Sequence, residues 1–157
     1  MANIHKISLF IVALTASSCV MSSRAQTLSC PTPESITYSQ GVFVAQEKRV
    51  GWVGRWVSQK HDPALVKGFS AVEFISMKNS LKDGTLTNCT YSLSGADGVV
   101  DLSYQKKGDE RKLTTLIVSI SGQPNWKKEK GSVGIQGYEC TKSVDKCLFT
   151  PLRIDAN

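Results

Sequence analysis

Cysteine residues place the strongest constraint on the fold of this chain, because four of its five cysteines follow an N-terminal segment with the form of a leader. The four are Cys30, Cys89, Cys140 and Cys147. The leader has a short start carrying Lys6, an apolar run and a Ser23-Arg24-Ala25 end, which is typical of a signal peptide cleaved before Gln26. An even set of cysteines in a small exported domain predicts two structural disulfides.

The leader, residues 1–25, has two alternative interpretations. A membrane anchor needs about 20 consecutive apolar residues, whereas the apolar run here is shorter and ends in Ser22-Ser23-Arg24. The small residues before Cys19 are typical of a lipoprotein, although Ala16 stands where such sites usually carry leucine. We therefore predict a periplasmic or secreted protein without a transmembrane segment in the mature chain, and lipid anchoring through Cys19 is the minor alternative.

The remaining residues, 26–157, are predicted to form one domain, because their number lies within the usual size of a single domain. The whole chain has a net charge of +6, and loss of Lys6 and Arg24 with no acidic residue leaves +4. So mild a charge favours solubility and does not specify a nucleic acid partner. We expect a monomer that binds no nucleic acid.

Short runs of alternating apolar and polar residues predict a mainly β fold, a single antiparallel domain built as a sandwich or a curled sheet. Gly, Asp, Asn and Pro separate the runs. The predicted strands cover residues 41–45, 50–58, 69–77, 86–93, 100–104, 113–121, 135–140 and 147–152. Residues 86–93, 100–104 and 113–121 are predicted to form a meander with one face on the core and one in water.

One short helical turn is predicted before the strand at residues 69–77. Asp62-Pro63 has the form of a helix start, with aspartate as N-cap and proline at the first helical position, and Gly68 would end the helix. A longer helix is disfavoured, because Gly68 inside it costs about 1 kcal/mol.

Four cysteines allow three pairings, and the sequence alone does not choose among them. We favour Cys140–Cys147, which closes a short polar loop, and then Cys30–Cys89, which ties the N-terminal lead to a predicted core strand. Zinc sites favour C-x₂₋₄-C spacing and redox pairs favour C-x-x-C, and neither spacing occurs here. We predict no metal site and no cofactor.

Catalytic signals are weak. His61 is the one histidine outside the leader, and Asp62 follows it directly, yet adjacent side chains usually point apart and no G-x-S-x-G elbow exists. A carboxylate pair for glycoside cleavage is the other possibility, but no spacing selects two of the candidate acids. Those candidates are Glu34, Glu47, Glu73, Asp83, Asp97 and Asp101.

Aromatic and basic residues are the candidate binding residues. Trp52 and Trp56 would share one face of a regular strand, either as part of the core or as a contact surface for a sugar or peptide. Trp126 precedes Lys127 and Lys128, and this group is either a solvated loop or a docking point for an anionic partner.

Several short elements resemble one group of small exported proteins of Gram-negative bacteria, a domain of unknown function. They are Cys30-Pro31, Gly51-Trp52-Val53-Gly54, Cys89-Thr90-Tyr91 and the closing Cys140 with Cys147-Leu148-Phe149. The resemblance covers nearly the whole mature chain. It implies a compact, disulfide-linked periplasmic or secreted protein, and it brings no activity, cofactor or catalytic residue with it.

The function that we predict is that of an exported, non-catalytic binding or accessory protein, such as a secreted factor of a host-associated bacterium. Its partner would be an unknown protein or glycan. The alternatives are a small secreted hydrolase with an unrecognised site around His61, and an inhibitor acting through the loop between Cys140 and Cys147. Convergence of His61, a carboxylate and a hydroxyl in one cleft would favour the hydrolase.

Overall fold

A computed structural model describes residues 26–47, 49, 52–77, 80–95, 98–109, 114–131 and 133–156. The predicted signal peptide, including Cys19, lies outside the described residues. The strands are β1 (Thr37–Ser39), β2 (Val42–Glu47), β3 (Gly54–Ser58), β4 (Val66–Met77), β5 (Gly84–Leu93), β6 (Val99–Lys106), β7 (Thr114–Ser119), β8 (Lys127–Lys128), β9 (Ile135–Cys140) and β10 (Thr150–Ala156). Two short 3₁₀ turns, Pro33–Ser35 and Val144–Lys146, are the helical elements of the described part.

The ten strands form one antiparallel sheet, which confirms the predicted fold class. Along its main path the order is β1-β2-β3-β6-β5-β4-β9-β8. The sheet forks at β5, because β4 occupies one edge of this long strand while two strands share the other edge. Strand β6 pairs with residues 89–92 of β5, and β7 pairs with residues 84–86 and also with β10.

The predicted meander is therefore wrong in its third strand. Strands β5 and β6 pair as expected, but β7 pairs with β5 and β10. The alternation of residues shows which face of a strand is buried, and it does not say which strand lies alongside. The Thr114 hydroxyl still joins β7 to β6 by donating to the Tyr104 carbonyl oxygen at 2.7 Å.

The predicted helical turn at residues 62–68 is also wrong. Residues 61–65 are irregular, and Gly68 lies inside β4. The backbone at Leu65 is held extended from outside, since its N–H donates to Ser94 Oγ and its carbonyl accepts from the Ser94 N–H, both at 2.9 Å. These tertiary contacts override the local capping signal of Asp62-Pro63.

Inward-facing residues of the sheet form one hydrophobic core. In β6 the alternating positions Val100, Leu102 and Tyr104 are buried, as the alternation predicts. The largest fully buried side chains are Trp56, Tyr91, Phe43, Phe74 and Phe149. Two of the sheet's edges are short strands, β1 and β8, and short edges limit pairing with other chains.

Both favoured disulfides are confirmed. Cys30 is bonded to Cys89, with a sequence separation of 59, and Cys140 is bonded to Cys147, with a separation of 7. All four cysteines are buried in the core. The first disulfide fixes the N-terminal lead to the middle of β5, and the second closes the loop between β9 and the last strand.

Candidate functional site

The structure places Trp56 in the core and so removes it from the predicted contact surface. Its side chain is 1% exposed and packs edge-on against its cross-strand neighbour Tyr104, with ring centroids 5.4 Å apart. Trp52 precedes β3, is half-buried and packs against the same core. The expected regular strand begins only at Gly54, so the two indoles do not form an exposed aromatic pair.

Trp126 is a structural residue, and the two lysines after it are exposed. The Trp126 indole N–H donates to the Leu148 carbonyl oxygen at 2.8 Å, and its ring lies 6.2 Å from that of Phe74. Lys127 and Lys128 form β8 and pair with β9 at the end of the sheet. The lysine side chains remain predicted contact residues.

A different group of residues forms an open cleft of about 590 Å³, which we call the His61 cleft. It is lined by Tyr38, Gln40, Gly41, Lys60, His61 and Asp62. The turn between β1 and β2 supplies one side of the cleft, and the irregular segment after β3 supplies the other. The His61 N–H donates to the Gly41 carbonyl oxygen at 2.9 Å, which joins the two sides.

Tyr38 and His61 are held on a shared aromatic support. Each ring meets Phe43 edge-on, with centroid distances of 5.2 Å for Tyr38 and 5.5 Å for His61. The Tyr38 hydroxyl donates to the His61 carbonyl oxygen at 2.8 Å. Both rings are therefore fixed before any ligand arrives.

The convergence named for the hydrolase alternative is present in part. His61, a carboxylate (Asp62) and a hydroxyl (Tyr38) line one cleft. However, His61 Nδ1 lies 2.8 Å from the Asp62 main-chain carbonyl oxygen, and the Tyr38 hydroxyl is bonded to another carbonyl. A triad needs a hydroxyl hydrogen-bonded to the base and an acid hydrogen-bonded to that base, and these contacts run to main-chain atoms instead.

Two further clefts follow along the surface, each sharing a lining residue with the one before it. A cleft of about 410 Å³ shares Tyr38 with it and runs between Glu34 and Leu65. A third, of about 420 Å³, shares Glu34 with the second and reaches Val144 in the loop closed by Cys140–Cys147. We call the three together the long groove; Leu65, 69% exposed, stands at its middle.

A separate cleft of about 450 Å³ lies at the end of β3 and β6. Arg55, Lys106 and Lys107 line it together with Glu47 and Gly54. The Arg55 Nε–H is already committed to the Gln105 side-chain oxygen at 2.8 Å. Because three basic residues and one acidic residue line the cleft, its rim carries a net positive charge.

Beneath this cleft lie two buried polar atoms without a hydrogen-bond partner in the described part of the structure. They are the Trp56 indole nitrogen and the Tyr104 hydroxyl oxygen. Burial, together with the nearby Glu47 carboxylate, raises the pKa of Tyr104 to about 12. The Tyr104 phenol thus stays neutral at ordinary pH.

Polar side chains occupy the outer face of the central strands. Asp101 Oδ1 accepts from the Thr90 hydroxyl at 2.6 Å and from the Asn88 amide at 3.0 Å. Burial raises the pKa of the Glu73 carboxyl group, and the nearby Glu129 raises it further. Among the described residues, no group of three His, Cys, Asp or Glu side chains could hold a metal ion.

Comparison with known families assigns the chain to a family. A family described as proteins of unknown function, DUF3757, matches residues 22–150. The chain belongs to this family. The resemblance to an uncharacterised family is thereby confirmed, although the family description gives no activity, partner or source.

No curated protein and no solved structure matches this DUF3757 chain. Within the described residues, no helix has both the length and the apolar character needed to cross a bilayer.

Sequence reasoning missed Tyr38 and Gln40 of the DUF3757 chain. The signal was Gln40-Gly41 between two short polar and apolar runs, since two-residue turns ending in glycine join hairpin strands. Asparagine or aspartate is the usual residue before that glycine, so a turn that begins with glutamine is harder to recognise from the sequence. Strand β1 is exposed throughout and shows no alternation.

Proposed function

We propose that this DUF3757 protein is an exported, non-catalytic binding or accessory protein that contacts its partner along the long groove. Its location would be the periplasm or the exterior of a Gram-negative bacterium, and its partner a protein or a glycan. The two disulfides support this location, because such bonds persist in oxidising compartments.

The observation that carries the proposal is a row of three clefts that share lining residues, on a domain that two disulfides stabilise. The sides of the long groove include exposed apolar side chains, Tyr38 and Leu65, beside the charged Glu34 and Lys67. Exposed apolar groups next to polar ones are typical of contact surfaces. The Cys30–Cys89 disulfide fixes the N-terminal lead that forms one side of the groove, so little conformational freedom is lost on binding.

The test compares the mature protein, residues 26–157 with both disulfides formed, with its Leu65→Asp variant. Each is applied to an array of periplasmic proteins and an array of glycans. A charge at the middle of the groove should weaken binding to any genuine hit at least about tenfold, which corresponds to about 1.4 kcal/mol.

Val133→Asp is the matched control, because Val133 is a fully exposed apolar residue outside the groove. It should bind as the wild type does. Equal binding by Leu65→Asp and the wild type would place the contact elsewhere and contradict the proposal.

The hydrolase alternative has one observation in its favour, which is that His61, Asp62 and Tyr38 line one cleft. Its test is hydrolysis of fluorogenic ester, peptide and glycoside substrates by the wild type and by His61→Ala. Turnover by the wild type that is lost in His61→Ala would establish an enzyme and overturn the non-catalytic proposal.

A further inference from the structure

We propose that the His61 cleft is a subsite for a neutral pyranose ring of a glycan, with the Tyr38 ring as its stacking platform. The inference rests on the proposed function, since it names the ligand class at one end of the same groove.

The platform is exposed and rigid at once. Tyr38 is 37% exposed, yet its ring is held edge-on by Phe43 and its hydroxyl is bonded to the His61 carbonyl oxygen. A ring held in this way presents its exposed apolar surface without the loss of side-chain entropy that ordering a mobile ring would cost. The C–H face of a pyranose is the complementary surface.

Polar side chains with unused hydrogen-bonding capacity surround the platform. Within the described residues, the side chains of Gln40, Lys60 and Asp62 make no hydrogen bond or ion pair, although all three line the cleft. They offer an amide, an ammonium group and a carboxylate, which together donate to and accept from sugar hydroxyl groups.

Charge and shape favour a neutral sugar over an anion or a side chain of a protein partner. The positive charge of Lys60 is offset by Asp62, so the cleft does not select an anion. An anchoring side chain of a protein partner would need an apolar pocket, whereas most residues lining this open cleft are polar.

The hairpin turn between β1 and β2 holds Gln40 at the cleft. The Gln40 φ of 52° is the one positive value among the described non-glycine residues. Glycine or asparagine would adopt this left-handed conformation at lower cost. A two-residue turn between paired strands requires this conformation, and the turn brings the Gln40 amide to the lining of the cleft.

The experiment is a titration of the ¹⁵N-labelled mature protein, with both disulfides formed, followed by amide chemical shifts. The probes are maltotriose, chitotriose and lactose, with sialyllactose as the charged counterpart of lactose. We expect saturable shifts at Tyr38, Gln40, Lys60 and His61 with at least one neutral probe, at a Kd on the order of 1 mM. Sialyllactose should bind no better than lactose.

Substitutions distinguish the contribution of the Tyr38 ring to binding from the contributions of the polar side chains around it. Tyr38→Ala should weaken binding about tenfold or more, which corresponds to about 1.4 kcal/mol, whereas Tyr38→Phe keeps the ring and should stay within about threefold. Gln40→Gly should weaken binding while raising the free energy of unfolding, because it removes the amide and the strain together. Lys60→Ala should weaken binding, and Lys82→Ala, at an exposed lysine outside the cleft, should not.

The sugar assignment fails if no neutral probe shifts these amides, or if Tyr38→Ala binds as tightly as the wild type. Under that result, loss of a protein hit in Leu65→Asp would leave the proposed function standing with a protein as occupant. Sugar binding that survives Tyr38→Ala would place the glycan elsewhere on the surface.

Discussion

Two buried tyrosine hydroxyl groups differ in one respect, which is whether a partner is present. The Tyr91 hydroxyl donates to the Pro31 carbonyl oxygen at 2.7 Å, while the Tyr104 hydroxyl has no partner in the described part of the structure. Burial raises the pKa of both phenols. A buried polar group without a partner destabilises the folded state, so the two residues contribute with opposite signs.

Replacing each tyrosine by phenylalanine tests this difference. Tyr104→Phe removes an unpaired hydroxyl and should raise the free energy of unfolding by about 1 kcal/mol. Tyr91→Phe leaves the Pro31 carbonyl unpaired and should lower it by about 1–2 kcal/mol. Urea unfolding of the two variants measures both, and equal losses would show that Tyr104 has a partner in solution.

The raised pKa of Tyr104 also predicts a loss of stability at alkaline pH. Because the pKa of Tyr104 rises from 10.0 to about 12 on folding, the folded state keeps a proton that the unfolded state releases. The free energy of unfolding should therefore fall as the pH rises from about 10 to about 12. Tyr104→Phe should make this decline shallower, and an unchanged slope would contradict the assignment.

At the scale of elements, close approach between β3 and β6 depends on Gly54. A Cβ atom built there would lie 2.5 Å from the Gln105 carbonyl oxygen and 2.5 Å from the Tyr104 hydroxyl. The first neighbour is backbone and cannot move without breaking the pairing of β3 with β6. Gly68, within β4, has only Ser92 Oγ nearby, at 3.6 Å.

Alanine substitutions at these two glycines should therefore have opposite effects. Gly54→Ala is expected to lower the free energy of unfolding by about 1–3 kcal/mol, because the added methyl group overpacks the strand pair. Gly68→Ala should raise it by about 0.5 kcal/mol, since alanine restricts the unfolded chain. Thermal or urea unfolding distinguishes them; a tolerated Gly54→Ala would show that β6 can shift away from β3.

The sequence predicts strands better than it predicts their partners. Strand β9 lies at the predicted residues, 135–140, and β5 and β6 differ from prediction only at their ends. Strands β1 and β8 were missed because they are short and exposed, and residues 62–68 were misassigned because Ser94 holds that segment extended. Alternation records burial, which is local information, whereas the fork at β5 depends on contacts distant in sequence.

The candidate site was predicted less well than the fold. The spacing of Trp52 and Trp56 leaves core packing and a contact surface as alternatives, and Trp56 lies in the core, where large rings stabilise most. The sequence pairs His61 only with its neighbour Asp62, whereas the cleft also depends on Tyr38 and Gln40 from a hairpin that the alternation does not indicate.

At the scale of the whole molecule, two disulfides stabilise the domain through loops of very different length. Cys30–Cys89 closes a loop with a separation of 59, and Cys140–Cys147 one with a separation of 7. Cross-links restrict the unfolded chain more when they close longer loops.

Removing the disulfides one at a time should therefore produce unequal losses. The double variant Cys30→Ala/Cys89→Ala should lower the free energy of unfolding by about 4 kcal/mol, and Cys140→Ala/Cys147→Ala by about 2.5 kcal/mol. Guanidinium unfolding of both variants beside the wild type gives the comparison. Equal losses, or a larger loss for the short loop, would contradict the loop-entropy explanation.

The fork at β5 also has a kinetic consequence. This strand pairs with three others, β4, β6 and β7, which is more than any other strand of the described sheet. Pairings between segments far apart along the chain slow folding, often to milliseconds or seconds. We therefore expect substitutions in β5 to slow refolding, and substitutions in the peripheral strands β1 and β8 to act mainly by speeding unfolding.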